Sequence, residues 1–131
     1  MNEKFITITG FNNYYGREPF AIGNLVRCKK EPHNVYDSEA IRCLMPAIGT
    51  VGYIANSPKT VAGGTMSAGR IYDTVDDRFY VRVMFTTFTK IICLVEDKPL
   101  ELLDEEFSAQ LKDDWCSGPA ITINIWDKKV Y

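Results

Sequence analysis

Apolar and polar residues alternate in short runs along the first 95 residues, and turn-forming residues separate these runs. From Phe79 to Phe85, for example, every second residue is a phenylalanine or a valine. A period of two is typical of a strand that has one face in a core and the other in solvent. The pattern predicts strands at residues 5–11, 21–30, 40–45, 49–54 and 91–95, and a hairpin made of 70–75 and 79–88.

One short helix is expected among these strands, at residues 59–66. Ser57 and Pro58 precede it, and serine as N-cap followed by proline at the first helical position is a typical helix start. Gly63 and Gly64 weaken the end of this segment, because glycine is a poor helix former. The segment therefore supports only a short helix.

After residue 95 the apolar period lengthens from two to four. Leu103, Phe107, Leu111 and Trp115 recur every four residues, which predicts an amphipathic helix with its apolar stripe in a core or an interface. A Ser-Gly-Pro sequence then ends the helical pattern, and residues 120–126 alternate as a strand.

These elements indicate one mainly β domain, a small barrel or strongly curved sheet of about six strands with a C-terminal helix and strand. The charge divides the 131 residues at the same point as the pattern. Residues 1–95 hold 11 Lys and Arg against 8 Asp and Glu, whereas residues 96–131 hold 4 against 9. We expect a barrel domain at 1–95 and an acidic helix–strand extension at 96–131, packed on the same domain.

The residues that usually bind metals or carry out catalysis are few. Cys28, Cys43, Cys93 and Cys116 include no Cys-x-x-Cys pair, and His33 is the only histidine. The first three cysteines fall in apolar strand patterns, where a thiol behaves as a small hydrophobe. No Ser/His/Asp, Cys/His or paired-carboxylate arrangement is visible. We therefore expect buried structural cysteines, no metal, no cofactor and no enzymatic activity.

The location of the protein follows from its apolar runs. None approaches the roughly 18 apolar residues that a membrane helix needs, and the first residues lack the plan of a signal peptide. We expect a cytoplasmic protein that does not contact a membrane.

Three segments together resemble the HIRAN family. They are Gly-Phe-Asn-Asn-Tyr-Tyr-Gly at 10–16, Cys-Lys-Lys-Glu-Pro-His-Asn-Val-Tyr-Asp-Ser-Glu-Ala-Ile at 28–41 and Gly-Thr-Val-Gly-Tyr-Ile at 49–54. The family pattern has an aromatic pair, a core with Pro-x-Asn-x-Tyr-Asp-x-x-Ala-Ile, and a Val-Gly-aromatic-aliphatic strand. The resemblance covers about residues 5–95. It implies a compact OB-like β-barrel that binds single-stranded DNA, including the free 3′ end, and that often accompanies a helicase-type motor.

The resemblance also implies which residues bind DNA, and their chemistry fits that role. Tyr14, Tyr15 and Tyr36 match the family's aromatic positions, and an aromatic ring stacks on a base of any sequence. Asp37 matches its acidic position, and a carboxylate accepts a hydrogen bond from a 3′-hydroxyl but repels a 3′-phosphate. Tyr53 stands where the family often has another ring, and its hydroxyl could pair with a phosphate.

Phosphate contacts are the less complete part of the match. The DNA-binding members tend to have basic residues at the positions of Asn13 and Asn56. Other cations could compensate if they face the same side as the tyrosines. These candidates are Arg17, Lys29, Lys30 and Arg42.

Several alternatives remain beside DNA binding. Tyr14 and Tyr15 could form a partly buried aromatic corner. Tyr36 and Asp37 could pin the loop, with Asp37 capping the amides of 38–40. Lys29 and Lys30 could protect a strand edge. Without basic residues at the two Asn positions, the chain could instead be a protein-interaction or self-assembly module, with a second copy or a helicase-type protein as partner. The acidic residues 96–131 could also fold over a basic groove and compete with DNA.

Overall fold

The computed structural model describes residues 3–110, and six strands within this range pair with one another only in antiparallel fashion. They close into a barrel in the order β1-β4-β3-β2-β5-β6, with a helix following the last strand. The predicted mainly β barrel with a C-terminal helix is confirmed. The strands are β1 (Phe5–Thr9), β2 (Leu25–Lys30), β3 (Ile41–Met45), β4 (Gly49–Ile54), β5 (Arg78–Thr86) and β6 (Ile91–Val95), and the α-helices are α1 (Ala68–Ile71) and α2 (Leu100–Gln110).

Buried side chains from all six strands fill the barrel, because alternate residues of each strand point inward. The described cysteines, Cys28, Cys43 and Cys93, are among them, and none forms a disulfide. Burial raises the pKa of the Cys43 and Cys93 thiols well above the usual value. The expected buried structural cysteines are confirmed at these three positions, and Cys116 lies outside the described residues.

The strand β1 closes the barrel by pairing with β6 along its length and with β4 only at its end. The β4 register places Ile8 opposite Ile54 and Thr9 opposite Tyr53. Before that point a different segment covers the β1 edge: the Met66 N–H donates to the Phe5 carbonyl at 2.8 Å, and the Ala55 N–H donates to that of Thr7 at 2.8 Å. Backbone hydrogen bonding therefore continues along β1 on both sides.

A glycine in β4 permits this closure, and its replacement is expected to weaken the fold. A Cβ atom on Gly52 would lie 2.9 Å from Cγ2 of Ile8 and 3.0 Å from the Thr9 carbonyl oxygen. We expect Gly52→Ala to lower the free energy of unfolding by about 1–3 kcal/mol, because backbone must move. Gly63→Ala is the control, since nothing lies within 4 Å of its added Cβ. Urea denaturation of both variants tests this, and equal midpoints would contradict it.

The predicted helix at 59–66 is wrong, because the helix begins about ten residues later. Ser57 does start one turn, in which its carbonyl accepts from the N–H groups of Thr60 and Val61 at 2.9 and 3.0 Å. One turn is an unstable nucleus, and two glycines follow before it can lengthen. The helix α1 is capped instead by Ser67, whose hydroxyl accepts from the Arg70 N–H at 3.2 Å.

The predicted hairpin of 70–75 with 79–88 is also wrong. Residues 70–75 contain the end of α1 and a 3-10 turn, and β5 pairs with β2 and β6 instead. Ile71 is buried, and Tyr72 and Val75 pack against the core. Their apolar side chains therefore reflect burial rather than strand structure.

A bulge changes the outward face of β5. Val83 lies opposite Cys93, but Phe85 lies opposite Ile92, so the strand has one extra residue at this point. The bulge shifts the alternation by one position. Phe85, which the pattern places on the buried face, is 59% exposed as a result.

The helix α2 packs on the outside of the barrel through the predicted stripe. Leu103 and Phe107 are buried and belong to the hydrophobic core, and the Phe107 ring lies 5.4 Å from that of Tyr80. The remaining stripe residues, Leu111 and Trp115, and the predicted strand at 120–126 lie outside the described residues. No helix among residues 3–110 has the length and apolar character needed to cross a lipid bilayer.

The last described residue of α2 completes the hydrogen bonding of β2. The pairing of β2 with β3 runs from Arg27, opposite Leu44, to Lys30, opposite Ile41, so Leu25 lies before it and has no partner in β3. The Gln110 side chain supplies the missing partner: its Nε2 donates to the Leu25 carbonyl at 3.0 Å, and its Oε1 accepts from the Leu25 N–H. An amide side chain thus replaces one residue of a strand.

Acidic residues of α2 pair with arginines on the outer face of the barrel. Asp104 lies 2.6 Å from Arg78 and 3.7 Å from Arg27, and Glu106 lies 2.6 Å from Arg82. The Arg78 guanidinium lowers the pKa of Asp104, and Arg82 lowers that of Glu106. The described part of the acidic extension therefore neutralises barrel arginines.

Candidate nucleic-acid interface

An open cleft of about 510 Å³ lies between the turn after β1, the loop between β2 and β3, and the end of β4. Its volume is in the range of sites that bind small molecules or single residues of a polymer. None of its described lining residues belongs to α2, so that helix does not cover the cleft. The lining residues are Tyr14, Asn34, Tyr36, Asp37, Ala40, Tyr53, Ile54, Asn56 and Ser57.

Four of the predicted DNA-binding residues line this cleft. Tyr14, Tyr36, Asp37 and Tyr53 come from the three segments that carry the HIRAN resemblance, and the fold brings them to one place. Tyr36 is 93% exposed, so nearly its whole ring is accessible. The cleft therefore offers aromatic surface next to a carboxylate.

An asparagine shapes the loop that carries Tyr36 and Asp37. The Oδ1 of Asn34 accepts from the N–H groups of these two residues at 2.8 and 3.1 Å, and its Nδ2 donates to Oε1 of Glu31 at 3.1 Å. Such side-chain-to-backbone bonds stabilise a turn without regular secondary structure. Asn34 thus fixes the backbone conformation at Tyr36 and Asp37, the predicted binding residues of this loop.

The Asp37 carboxylate is held by two donors. Its Oδ1 accepts from the Glu39 N–H at 2.9 Å, one of the amides that the sequence allowed it to cap, and its Oδ2 accepts from Nδ2 of Asn56 at 2.8 Å. Each carboxylate oxygen has two lone pairs, so both retain the capacity to accept another hydrogen bond. Asp37 forms no ion pair with a described residue. It is therefore a fixed, charged acceptor.

Asn56 has a positioning role that sequence reasoning missed. Its Nδ2 donates to Asp37, and its Oδ1 accepts from the Gly69 N–H at 2.8 Å, so it links the carboxylate to α1. Its sequence position suggested only a lost phosphate contact. No local signal indicated this role, because Asp37 and Gly69 are distant from Asn56 in the chain.

Tyr53 is also held by a hydrogen bond within the protein. Its hydroxyl donates to Oε1 of Glu31 at 3.0 Å, so the proton of this hydroxyl is used in a contact within the protein. Burial, reinforced by the Glu31 carboxylate, raises the pKa of Tyr53 to about 12. The other Glu31 oxygen lies 2.9 Å from Nε of Arg42, whose N–H is not aligned for a hydrogen bond, so this contact is an ion pair.

Tyr15 and Lys29 do not line the cleft. Tyr14 and Tyr15 are adjacent in the chain, but their side chains lie in different places: Tyr14 lines the cleft, whereas Tyr15 packs against the hydrophobic core. The partly buried aromatic corner considered from the sequence describes Tyr15. Lys29 is exposed on the outside of β2.

Arg17 and Lys30 have other partners. The Arg17 guanidinium donates to the Thr87 carbonyl at 3.2 Å and lies 5.6 Å from the centre of the Phe88 ring. The Lys30 ammonium donates to the Val75 carbonyl at 2.7 Å. The structure therefore does not place these two predicted cations at the cleft.

The cleft is acidic. Asp37 is the only charged residue in its described lining, and no lysine or arginine of residues 3–110 belongs to that lining. His33 is exposed and lies outside it. Within the described range, no group of three or more His, Cys, Asp or Glu side chains could hold a metal ion. The cleft chemistry therefore consists of aromatic rings, amides and one carboxylate.

Comparisons with known proteins gave no match. No family model matches the chain, and neither a curated protein nor a solved structure matches it.

Proposed function

We propose that this protein is a non-catalytic module that binds single-stranded DNA at its 3′ end. One observation carries the proposal: Tyr14, Tyr36 and Tyr53 lie around one cleft with the Asp37 carboxylate. The HIRAN resemblance, which rests on the segments that hold these four residues, supports the same function.

Stacking provides most of the affinity in this proposal. Tyr36 presents a nearly fully exposed ring, and base–aromatic stacking contributes about 1–3 kcal/mol per base without depending on sequence. Tyr14 lies in the same cleft and offers a second face. The terminal base therefore stacks on a tyrosine, and its neighbour extends the contact.

The carboxylate provides the preference for a strand end. A 3′-hydroxyl donates a hydrogen bond to Asp37, which Glu39 and Asn56 already hold in position. A carboxylate is acceptor-only, and a 3′-phosphate is mostly dianionic at neutral pH, so the two groups repel each other. The described lining contains no cation to offset that repulsion, so the cleft selects the hydroxyl end.

Fluorescence anisotropy with oligonucleotides that end in a 3′-hydroxyl or a 3′-phosphate tests the proposal. We expect the hydroxyl form to bind about 10-fold or more tightly, because a hydrogen bond to a charged group contributes about 1.5–3 kcal/mol. Asp37→Asn should remove most of this difference. Asp76→Asn is the matched control, since Asp76 is an exposed carboxylate outside the cleft. Equal affinity of the wild type for both ends would refute end recognition.

A second candidate function, protein interaction or self-assembly, is favoured by exposed apolar residues away from the cleft. Phe85 and Phe88 near the β5–β6 turn are 59% and 79% exposed, and Ile22 is 68% exposed. Exposed apolar groups of this size can mark an interaction site. Light scattering over a range of protein concentrations separates the candidates: a monomer throughout excludes self-assembly and leaves DNA binding unaffected.

A further inference from the structure

Four side chains form a row that starts at the cleft and crosses the barrel. Tyr53 on β4 lies opposite Arg42 on β3, Arg42 lies opposite Lys29 on β2, and Lys29 lies opposite Arg78 on β5. Residues directly opposite each other in antiparallel strands point to the same face of the sheet. These side chains are therefore neighbours, and we call them the Lys29 row.

The Lys29 row lies on the outer face of the barrel. Cys28 and Cys43, which precede Lys29 and follow Arg42, are fully buried, and successive residues of a strand point to opposite faces. Lys29 is exposed, and the side chains of Arg42 and Arg78 are 35% and 39% exposed. With strands about 4.8 Å apart, Lys29 lies roughly 10 Å from Tyr53 along the row.

Its charges are unevenly compensated. Arg42 pairs with Glu31 at 2.9 Å and Arg78 with Asp104 at 2.6 Å, whereas Lys29 has no ion-pair partner among the described residues. The row thus has three cations, and its two arginines pair with carboxylates, of which Asp104 is shared with Arg27 outside the row. Lys29, between these two arginines, is the cation of the row without a carboxylate partner among the described residues.

We infer that the Lys29 row binds the phosphates of the DNA strand whose 3′ end occupies the cleft. The inference rests on the proposed function and adds the path of the strand. The described cleft lining has a carboxylate and no cation, so the strand's phosphates need a cationic surface outside it. The row begins at Tyr53, a residue of the cleft itself. The strand therefore leaves the cleft over β3 and β2.

The adjacent Lys30 does not share this role, and the register explains the difference. Lys30 lies opposite Ile41, which is fully buried, so its side chain starts from the inward face at the end of the barrel. There its ammonium donates to the Val75 carbonyl. Of the two neighbouring lysines, only Lys29 is available to a strand on the outer face.

Binding of a 3′-hydroxyl dinucleotide and a 3′-hydroxyl hexanucleotide tests the inference. We expect the wild type to bind the hexanucleotide more tightly. Lys29→Gln should weaken hexanucleotide binding roughly two- to fivefold, as expected for one exposed charge pair, and leave dinucleotide binding unchanged. It should also reduce the slope of log K against log salt by about 0.7, the value for one phosphate of a single strand. Lys98→Gln removes an exposed charge elsewhere and should change neither.

The outcomes separate this inference from the function on which it rests. If Lys29→Gln binds the hexanucleotide as the wild type does, with the same salt slope, the row does not contact the strand. Lys59 follows Ser57, which lines the cleft. If Lys59→Gln instead loses the tighter binding of the hexanucleotide, the strand passes Lys59 rather than Lys29, and the inference is wrong. A persisting preference for the 3′-hydroxyl in either case upholds the cleft. Absence of DNA binding by the wild type overturns both.

Discussion

Replacing Phe107 by alanine is expected to lower the free energy of unfolding by about 3–5 kcal/mol, the usual cost of removing a buried aromatic side chain. The Phe107 ring is 4% exposed, packs 5.4 Å from the Tyr80 ring and lies 4.6 Å below the Arg27 guanidinium. Its loss leaves a cavity between α2 and the barrel, which rigid strands cannot fill. Urea denaturation followed by intrinsic fluorescence measures the change.

Leu102→Ala is the control on the same helix, because Leu102 is 57% exposed and its loss should change stability by less than about 0.5 kcal/mol. If Phe107→Ala lowered the free energy of unfolding by less than about 1 kcal/mol, α2 would not be needed for the stability of the barrel. The expected loss instead makes α2 part of the folding unit. In that case truncation after Val95 would unfold the barrel, and charge-neutralising variants such as Glu106→Gln are the appropriate tests of inhibition by the acidic extension.

Tyr36→Ala is expected to lower the affinity for single-stranded DNA about 5- to 150-fold and to leave stability unchanged. The loss corresponds to the 1–3 kcal/mol of one base–aromatic stack. The ring is 93% exposed, so its removal leaves no cavity. Fluorescence anisotropy and thermal denaturation of the same preparation measure both effects.

Two further variants make this result specific. Tyr36→Phe keeps the ring and should bind nearly as the wild type does, because the proposed contact is stacking. Phe88→Ala removes another highly exposed ring, which lies outside the cleft, and should not alter binding. Wild-type affinity in Tyr36→Ala would exclude Tyr36 as the stacking platform.

Sequence periodicity predicted the strands whose inward and outward faces differ clearly. The bounds of β4 and β6 agree with the prediction, and β3 begins one residue late. The prediction of a strand at 70–75 was wrong because the apolar residues of this segment pack against the core from helical turns. Composition does not distinguish a short buried helix from a short buried strand. A bulge such as that before Phe85 is set by pairing with the next strand, which a local pattern does not contain.

The cleft was predictable where the motif and the local turn agree. Tyr36 and Asp37 follow Asn34 closely, so their relative placement is a property of one short loop. The contribution of Asn56 could not be foreseen, because it depends on closure of the barrel. Likewise, alternation along the strand predicts that Lys29 and Lys30 point to opposite faces of β2. Only the strand register shows which of the two lysines shares a face with Tyr53.

Closure of the ring limits how another protein can attach to this barrel. Sheet extension across a molecular boundary requires an edge strand with free N–H and C=O groups. Each of the six strands has two neighbours, and Ala55 and Met66 satisfy the carbonyls of β1 that β4 does not reach. Within residues 3–110, none of the six strands has a side without a neighbouring strand, so an incoming strand finds no complete edge to lengthen. Assembly through the six described strands is therefore expected to use side-chain surfaces, and growth of fibres from these strands would first require the ring to open.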